Sequence, residues 1–126
     1  MTAPQLEGRT AADVVHTRVS TVPATATVGE LRAYFAESDS RQLALLVDGD
    51  RYAGSLSRAD LPADADASAP AARLARQGPV IAPAAPAREA WEGALAQPSA
   101  RLPVVDGDGA LVGVVAINHA RDGFCG

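Results

Sequence analysis

Apolar residues in this chain fall in short blocks separated by Pro, Gly and acidic turns. Leu43 to Val47 is a continuous apolar run, the signature of a strand buried on both faces. Asp48-Gly49-Asp50 comes next, and Gly and Asp tolerate the positive φ that a tight turn requires. The chain returns through Tyr52 to Leu56, so the block predicts a β-hairpin. Ser57 then stands as a helix N-cap with Asp60 three residues on, and the second strand is expected to run straight into a helix. Upstream, Thr10 caps a short helix with Asp13 in its first turn, and Val19 to Val22 is β-prone up to Pro23. Thr27-Val28-Gly29-Glu30 is a capping box, opening a helix with Leu31, Tyr34 and Phe35 on one face.

The same succession returns after residues 61–69, an acidic stretch without periodicity. Pro70 to Arg76 predicts a short helix stopped by Gly78, Val80-Ile81 a strand, and Pro86 to Glu89 the start of a longer helix. Leu102 to Val105, the turn Asp106 to Gly109 and Leu111 to Ile117 make a second hairpin. Val22 to Ile81, Glu30 to Glu89 and Gly54 to Gly113 are each 59 residues apart, whereas Val47 to Val105 is 58. The second copy thus lacks one residue before its hairpin and carries one extra within it. The pattern predicts an α+β fold of two repeats, 10–61 and 70–122, joined by a linker at 62–69. Each repeat is expected to be a small three-stranded sheet with helices. The two would pack about a pseudo-two-fold axis, because neither half buries its apolar face alone.

Composition narrows the function. At 126 residues and 48% hydrophobic, with only 4% aromatic, the core must be built from Val, Leu, Ile and Ala. A net charge of −4 argues against nonspecific nucleic-acid binding, which needs a basic field. No apolar run approaches the ~18 residues of a membrane span, no signal peptide is evident, and one cysteine gives no disulfide framework. A cytoplasmic protein is expected. His16, His119 and Cys125 do not place a nucleophile beside a base, so no catalytic set is read and the protein is not expected to be an enzyme. The pairs Asp48/Asp50 and Asp106/Asp108 lack the further oxygens of a calcium loop and are read as turn residues, leaving no metal site.

Pro103-Val104-Val105-Asp106 entering a hairpin, and Gly54-Ser55-Leu56-Ser57-Arg58-Ala59-Asp60 closing one, resemble the diagnostic pieces of CBS domains. With the duplication, the chain resembles a tandem CBS pair (a Bateman module) over about residues 10–122. The resemblance implies a regulatory module without catalytic machinery and with no required cofactor. It also implies a ligand drawn from AMP, ADP, ATP or S-adenosylmethionine, held in clefts between the repeats, and relatives that pair into homodimers. In the family the motif Ser/Thr faces phosphate and the Asp holds the ribose diol, which falls here on Ser57 and Asp60. A helix N-terminus at Ser57 would present free N–H groups to a phosphate. Gln42, Ser55, Ala85, Ser99 and Ala100 are the further positions the resemblance carries over.

The second copy departs from the motif, with Ala116 in place of Ser/Thr and His119 in place of Asp. A neutral imidazole has one acceptor nitrogen and cannot receive two ribose hydroxyls. Ser57-x-x-Asp60 is equally a plain cap that needs no ligand. Arg58 and Arg101 are near enough to the motifs to meet a phosphate, and both are expected to point to solvent. Trp91 is either core or a partner contact. Two functions therefore stand: an adenosyl-ligand sensor acting through a homodimer, or a structural module that binds no nucleotide and docks an effector protein.

Overall fold

The computed structural model describes residues 6–118 and 120–124. The elements are α1 (Ala11–Val14), β1 (Val22–Pro23), α2 (Val28–Ala36), β2 (Leu43–Asp48), β3 (Arg51–Ser57), α3 (Ala87–Leu95), β4 (Arg101–Val105) and β5 (Leu111–Ala116), with single 3-10 turns at Arg58–Asp60 and Ala71–Arg73. The chain divides into two compact units. A central unit runs from Ser20 to Gly78, and a flanking unit combines the residues up to Val19 with those from Pro79 onward.

In the central unit β1 pairs parallel to β2, and β2 antiparallel to β3. Helix α2 starts as its sequence requires. Thr27 Oγ1 accepts from the Glu30 N–H at 3.2 Å, and the Glu30 carboxylate accepts from the Thr27 N–H at 3.4 Å. Leu31 and Phe35, one turn apart, meet Ala44, Leu46, Leu56 and Ala71 in a buried core. The 61–69 stretch is not a loose linker. Arg32 donates to the carbonyls of Pro62, Ala63 and Ala65, and the N–H groups of Val28 and Gly29 donate to Ala69 and Ala67. Helix α2's open N-terminal donors, which have no intrahelical partner, are what fix this strap.

The flanking unit repeats the hairpin but not the whole sheet. Its sheet has two strands, β4 and β5, rather than three. The expected Val80-Ile81 strand is a single parallel bridge from Ile81 to Val104. Pro79 and Pro83 bracket it, and neither has an N–H to extend a ladder. The core is larger, gathering Leu6, Ala11, Ile81, Trp91, Leu102, Val104, Val115, Ile117 and Phe124 with three alanines of α3. Trp91 is core: its ring meets Phe124 edge to face at 5.3 Å.

Each unit takes its lead-in segment from the other repeat. Thr10 bridges Pro86 and His16 bridges Val114 in the flanking unit, while Pro70 bridges Thr27 and Arg76 bridges Ser55 in the central one. The expected helix from Pro70 to Arg76 is consequently only the Ala71–Arg73 turn, because Arg76 is held extended against β3. The paired glycines are explained by this crossing. A Cβ on Gly113 would fall onto the His16 carbonyl and within 2.9 Å of Val15 Cγ2. A Cβ on Gly54, whose φ is +133°, would lie 3.2 Å from Ala75 Cβ. The hairpins share a register shift at Leu46/Val47 and Val104/Val105. Val47 faces Tyr52, but Val105 faces Leu111, which locates the extra residue of the second copy in its turn.

Candidate functional site

The expected site residues of the central unit gather at the open end of its hairpin. Ser57, the last residue of β3, pairs with Leu43, and Ser55 pairs with Leu45, so period-two alternation puts both serines on one face. The Arg58 N–H donates to the Gln42 carbonyl at 3.0 Å, which ties Gln42 to the turn carrying Asp60. The Gln42 side chain itself donates to the Asp39 carbonyl at 2.9 Å. Ser55 has both backbone groups engaged by Arg76, at 2.8 Å each, so only its hydroxyl is available to a ligand.

The helix expected after Ser57 is one 3-10 turn. Leu61 is extended, as a residue before proline prefers, and Pro62 ends the turn. A three-residue turn carries no helix dipole. Its N–H groups at Arg58 and Asp60 are taken by the Gln42 carbonyl and, at 3.2 Å, by the Ser57 hydroxyl. The helix N-terminus anticipated at this point is therefore absent, and these two donors are not free for a phosphate.

The acid of the motif behaves differently. Three Ser/Thr-x-x-acid patterns occur, and in two of them the carboxylate reaches back to the cap: Asp13 accepts from the Thr10 N–H at 2.8 Å, and Glu30 from that of Thr27. The Thr10 hydrogen bonds hold Asp13 below the ordinary carboxylate value. At Ser57 the hydroxyl caps the turn, but no hydrogen bond or ion pair among the described residues engages the Asp60 carboxylate, which is exposed. Ser57 closes the strand ladder, and Asp60 keeps all its acceptor capacity.

Arg58 does not point to solvent. Its Nε donates to the Arg41 carbonyl and its Nη2 to those of Phe35 and Ser38, at 2.6–2.8 Å, with the guanidinium 5.1 Å from the Phe35 ring centroid. It caps the carboxyl end of α2, where carbonyls lack intrahelical donors. Arg41 joins it, stacked on Tyr34 at 4.2 Å and paired with Glu37. Tyr52, paired with Val47 across the hairpin, has a buried hydroxyl with no hydrogen-bond partner among the described residues. Burial pushes its pKa up, with the nearby Ser55 side chain opposing the rise.

In the flanking unit the corresponding geometry is kept without the chemistry. Ala116 pairs with Arg101 as Ser57 pairs with Leu43, and the Ile117 N–H donates to the Ala100 carbonyl at 3.0 Å. Ala100 has a φ of +55°, a left-handed conformation uncommon for alanine. Its N–H donates to Gln97, and Ala85 has its N–H and carbonyl engaged by Ala82 and Ala11. Ser99 is buried, with its carbonyl accepting from Arg101 at 2.7 Å. Arg101, expected in solvent, is half-buried and committed to that bond. His119 and Cys125 lie outside the described residues. Asp106 accepts from the N–H groups of Asp108 and Ala110, as a turn residue does. Among the described residues no three His, Cys, Asp or Glu side chains form a metal-holding group.

The family model for the CBS domain matches residues 11–61 and again 71–122. The chain belongs to the CBS domain family. No curated protein sequence matches it. Among solved structures it is similar to the cystathionine beta-synthase pair domain of a putative Mg2+ transporter from Shewanella oneidensis MR-1, at 21% identity and a TM-score of 0.75 over 90% of this chain and 68% of that one. A CBS-pair protein of Arabidopsis thaliana gives 21% identity and 0.73 over 86% and 89%. A complex of that protein with AMP gives 22% and 0.73 over 90% and 93%. The cytosolic domain of the Mg2+ channel MgtE in complex with ATP gives 24% and 0.70, with this chain spanning 47% of that one. These likenesses establish the CBS-pair fold.

Two residues of the first CBS repeat have roles that the sequence reading missed. Arg58 was legible in principle, since α2 ends at Ala36 with no glycine cap and its last carbonyls need donors from elsewhere. Tyr52 carried no comparable signal: its hydroxyl becomes notable only through burial. No helix among the described residues is long and apolar enough to cross a membrane.

Proposed function

We propose that this CBS pair is a regulatory, non-catalytic module that binds one adenosyl ligand per chain through its first repeat, from the set AMP, ADP, ATP and S-adenosylmethionine. The observation that carries the reading is the unengaged Asp60 carboxylate. In the two other capping patterns the acid is consumed by its own cap, and at Asp60 it is not. An exposed carboxylate with both oxygens available accepts two hydroxyls of a ribose diol. The AMP and ATP complexes among the similar structures support the ligand class. With the Arg58 and Asp60 N–H groups engaged, phosphate recognition in this reading draws on Ser57, which donates its hydroxyl. In this reading the module works in the cytoplasm, pairs as a homodimer and passes ligand occupancy to an effector protein.

A ligand that binds only the folded chain raises its stability by RT ln(1 + [L]/Kd), about 2.7 kcal/mol at a hundredfold excess over Kd. Thermal melts with each of the four ligands test this. A melting-temperature rise with at least one supports the reading, and no rise with any of them rejects it. The competing function, a structural module docking a protein without nucleotide, draws on the flanking unit, where Ala116 has replaced the motif hydroxyl and the backbone of Ala100 is fully engaged.

A further inference from the structure

The central unit carries a second feature that the motif does not explain. Arg32, Phe35 and Ala36 of α2 face Leu61, Pro62 and Ala63 of the strap across a groove of roughly 270 Å3, with Arg58 completing its lining. Two arginines thus line one small space whose other lining side chains are apolar. Neither forms an ion pair among the described residues, although the chain carries a net charge of −4. Their shared preference for backbone carbonyls fixes them in place. Arg32 uses Nη2 on Pro62, Ala63 and Ala65, and Arg58 uses Nε and Nη2 on Arg41, Phe35 and Ser38. Nε and Nη1 of Arg32 and Nη1 of Arg58 donate to no acceptor among the described residues. Asp66, the carboxylate whose charge interacts with Arg32, is committed to the Ser68 N–H and hydroxyl at 2.9 Å each.

We infer that this groove is a binding site for a small organic anion, a phosphate or carboxylate attached to an apolar body. Guanidinium groups match the planar or tetrahedral oxygens of such anions, and here both are already held by the carbonyls they donate to, so little side-chain freedom is lost on binding. Phe35, Ala36, Leu61 and Pro62 supply the apolar walls that an unsubstituted phosphate would not use. The inference stands apart from ligand binding at Asp60, since it concerns the strap side of α2 and uses neither Ser57 nor Asp60.

The test is a 1H–15N NMR titration of the full chain with phenyl phosphate, benzoate, inorganic phosphate and benzyl alcohol. Saturable shifts at Arg32, Ala36, Leu61, Ala63 and the Arg32 and Arg58 Nε–H signals are expected with phenyl phosphate or benzoate, and the stronger of the two identifies the anion type. Inorganic phosphate and benzyl alcohol are expected to bind at least fivefold more weakly. Arg32→Met should weaken the better probe by fivefold or more. Ala63→Glu, which leaves both arginines in place and adds a competing carboxylate, should do the same with an unchanged melting temperature. Asp60→Ala should leave it unaltered, which separates this site from the ribose site. Equal binding of benzyl alcohol, no saturable shift, or shifts at these residues that track protein concentration without any probe would overturn the inference; the last would make the groove a contact between copies.

Discussion

Two hairpins of one design lie in the two units, and they differ in the residues immediately after the second strand. In the central unit Ser57 leads into a 3-10 turn whose Asp60 carboxylate has no partner among the described residues; in the flanking unit Ala116 stands at the same register position and continues to Ile117, which is buried. The bulge, the glycine opposite it and the hydrogen bond back to the strand entrance are common to both. The shared features are those that close a hairpin against a crossing lead-in. The polar chemistry is not shared, so the repeat encodes the fold twice and the candidate binding function once.

The core of the flanking unit should be the more fragile to truncation. Trp91→Ala removes the ring that packs on Phe124 and should cost about 3–5 kcal/mol in urea unfolding. A loss under ~1 kcal/mol would move Trp91 out of the core and back to a partner surface. The two glycines sharpen the comparison next. Gly113→Ala places a methyl on the His16 carbonyl, a backbone atom that cannot rotate away, and should destabilise by about 3 kcal/mol. Gly54→Ala meets a methyl at 3.2 Å and a strained φ, for about 1–3 kcal/mol. The reverse order would show that the lead-in of the flanking unit yields more easily than that of the central unit.

Much of this was legible in the sequence. The 59-residue spacing located both hairpins and the extra residue of the second turn, because turn and capping chemistry are local. The exchange of lead-ins was not, since nothing in Thr10 to His16 or Pro70 to Arg76 says which hairpin each will cross. Ser57-x-x-Asp60 looked like a helix start because its capping pattern is the same one that opens α2, and Pro62 holds it to a single turn. Only the carboxylate's direction tells the two apart, and that depends on Ser57 closing a ladder.

The arginine caps test the comparison at smaller magnitude. Arg58 holds the carbonyl of Phe35 in α2 and those of Ser38 and Arg41 beyond it, whereas among the described residues the Arg121 side chain donates only to the Leu95 carbonyl at the end of α3. Arg58→Met should cost about 1–3 kcal/mol and Arg121→Met about 1 kcal/mol or less, both read from denaturant midpoints. Smallest is the acid limb. The Asp13 carboxylate is held below its ordinary value of 3.8, so its contribution is complete above that pH and is lost as pH falls through the lower folded value. Asp13→Asn should flatten the pH dependence of stability only in that range, and a change near neutrality would contradict the assignment.

The difference between the two hairpins is decided most directly by calorimetric titration of AMP, ADP, ATP and S-adenosylmethionine into the wild-type chain and Asp60→Ala. One ligand per chain is predicted. A charge-assisted hydrogen bond is worth roughly 1.5–3 kcal/mol, so the substitution should weaken binding by about tenfold or more. Two equivalent sites per chain, or an affinity that Asp60→Ala leaves unchanged, would contradict the account.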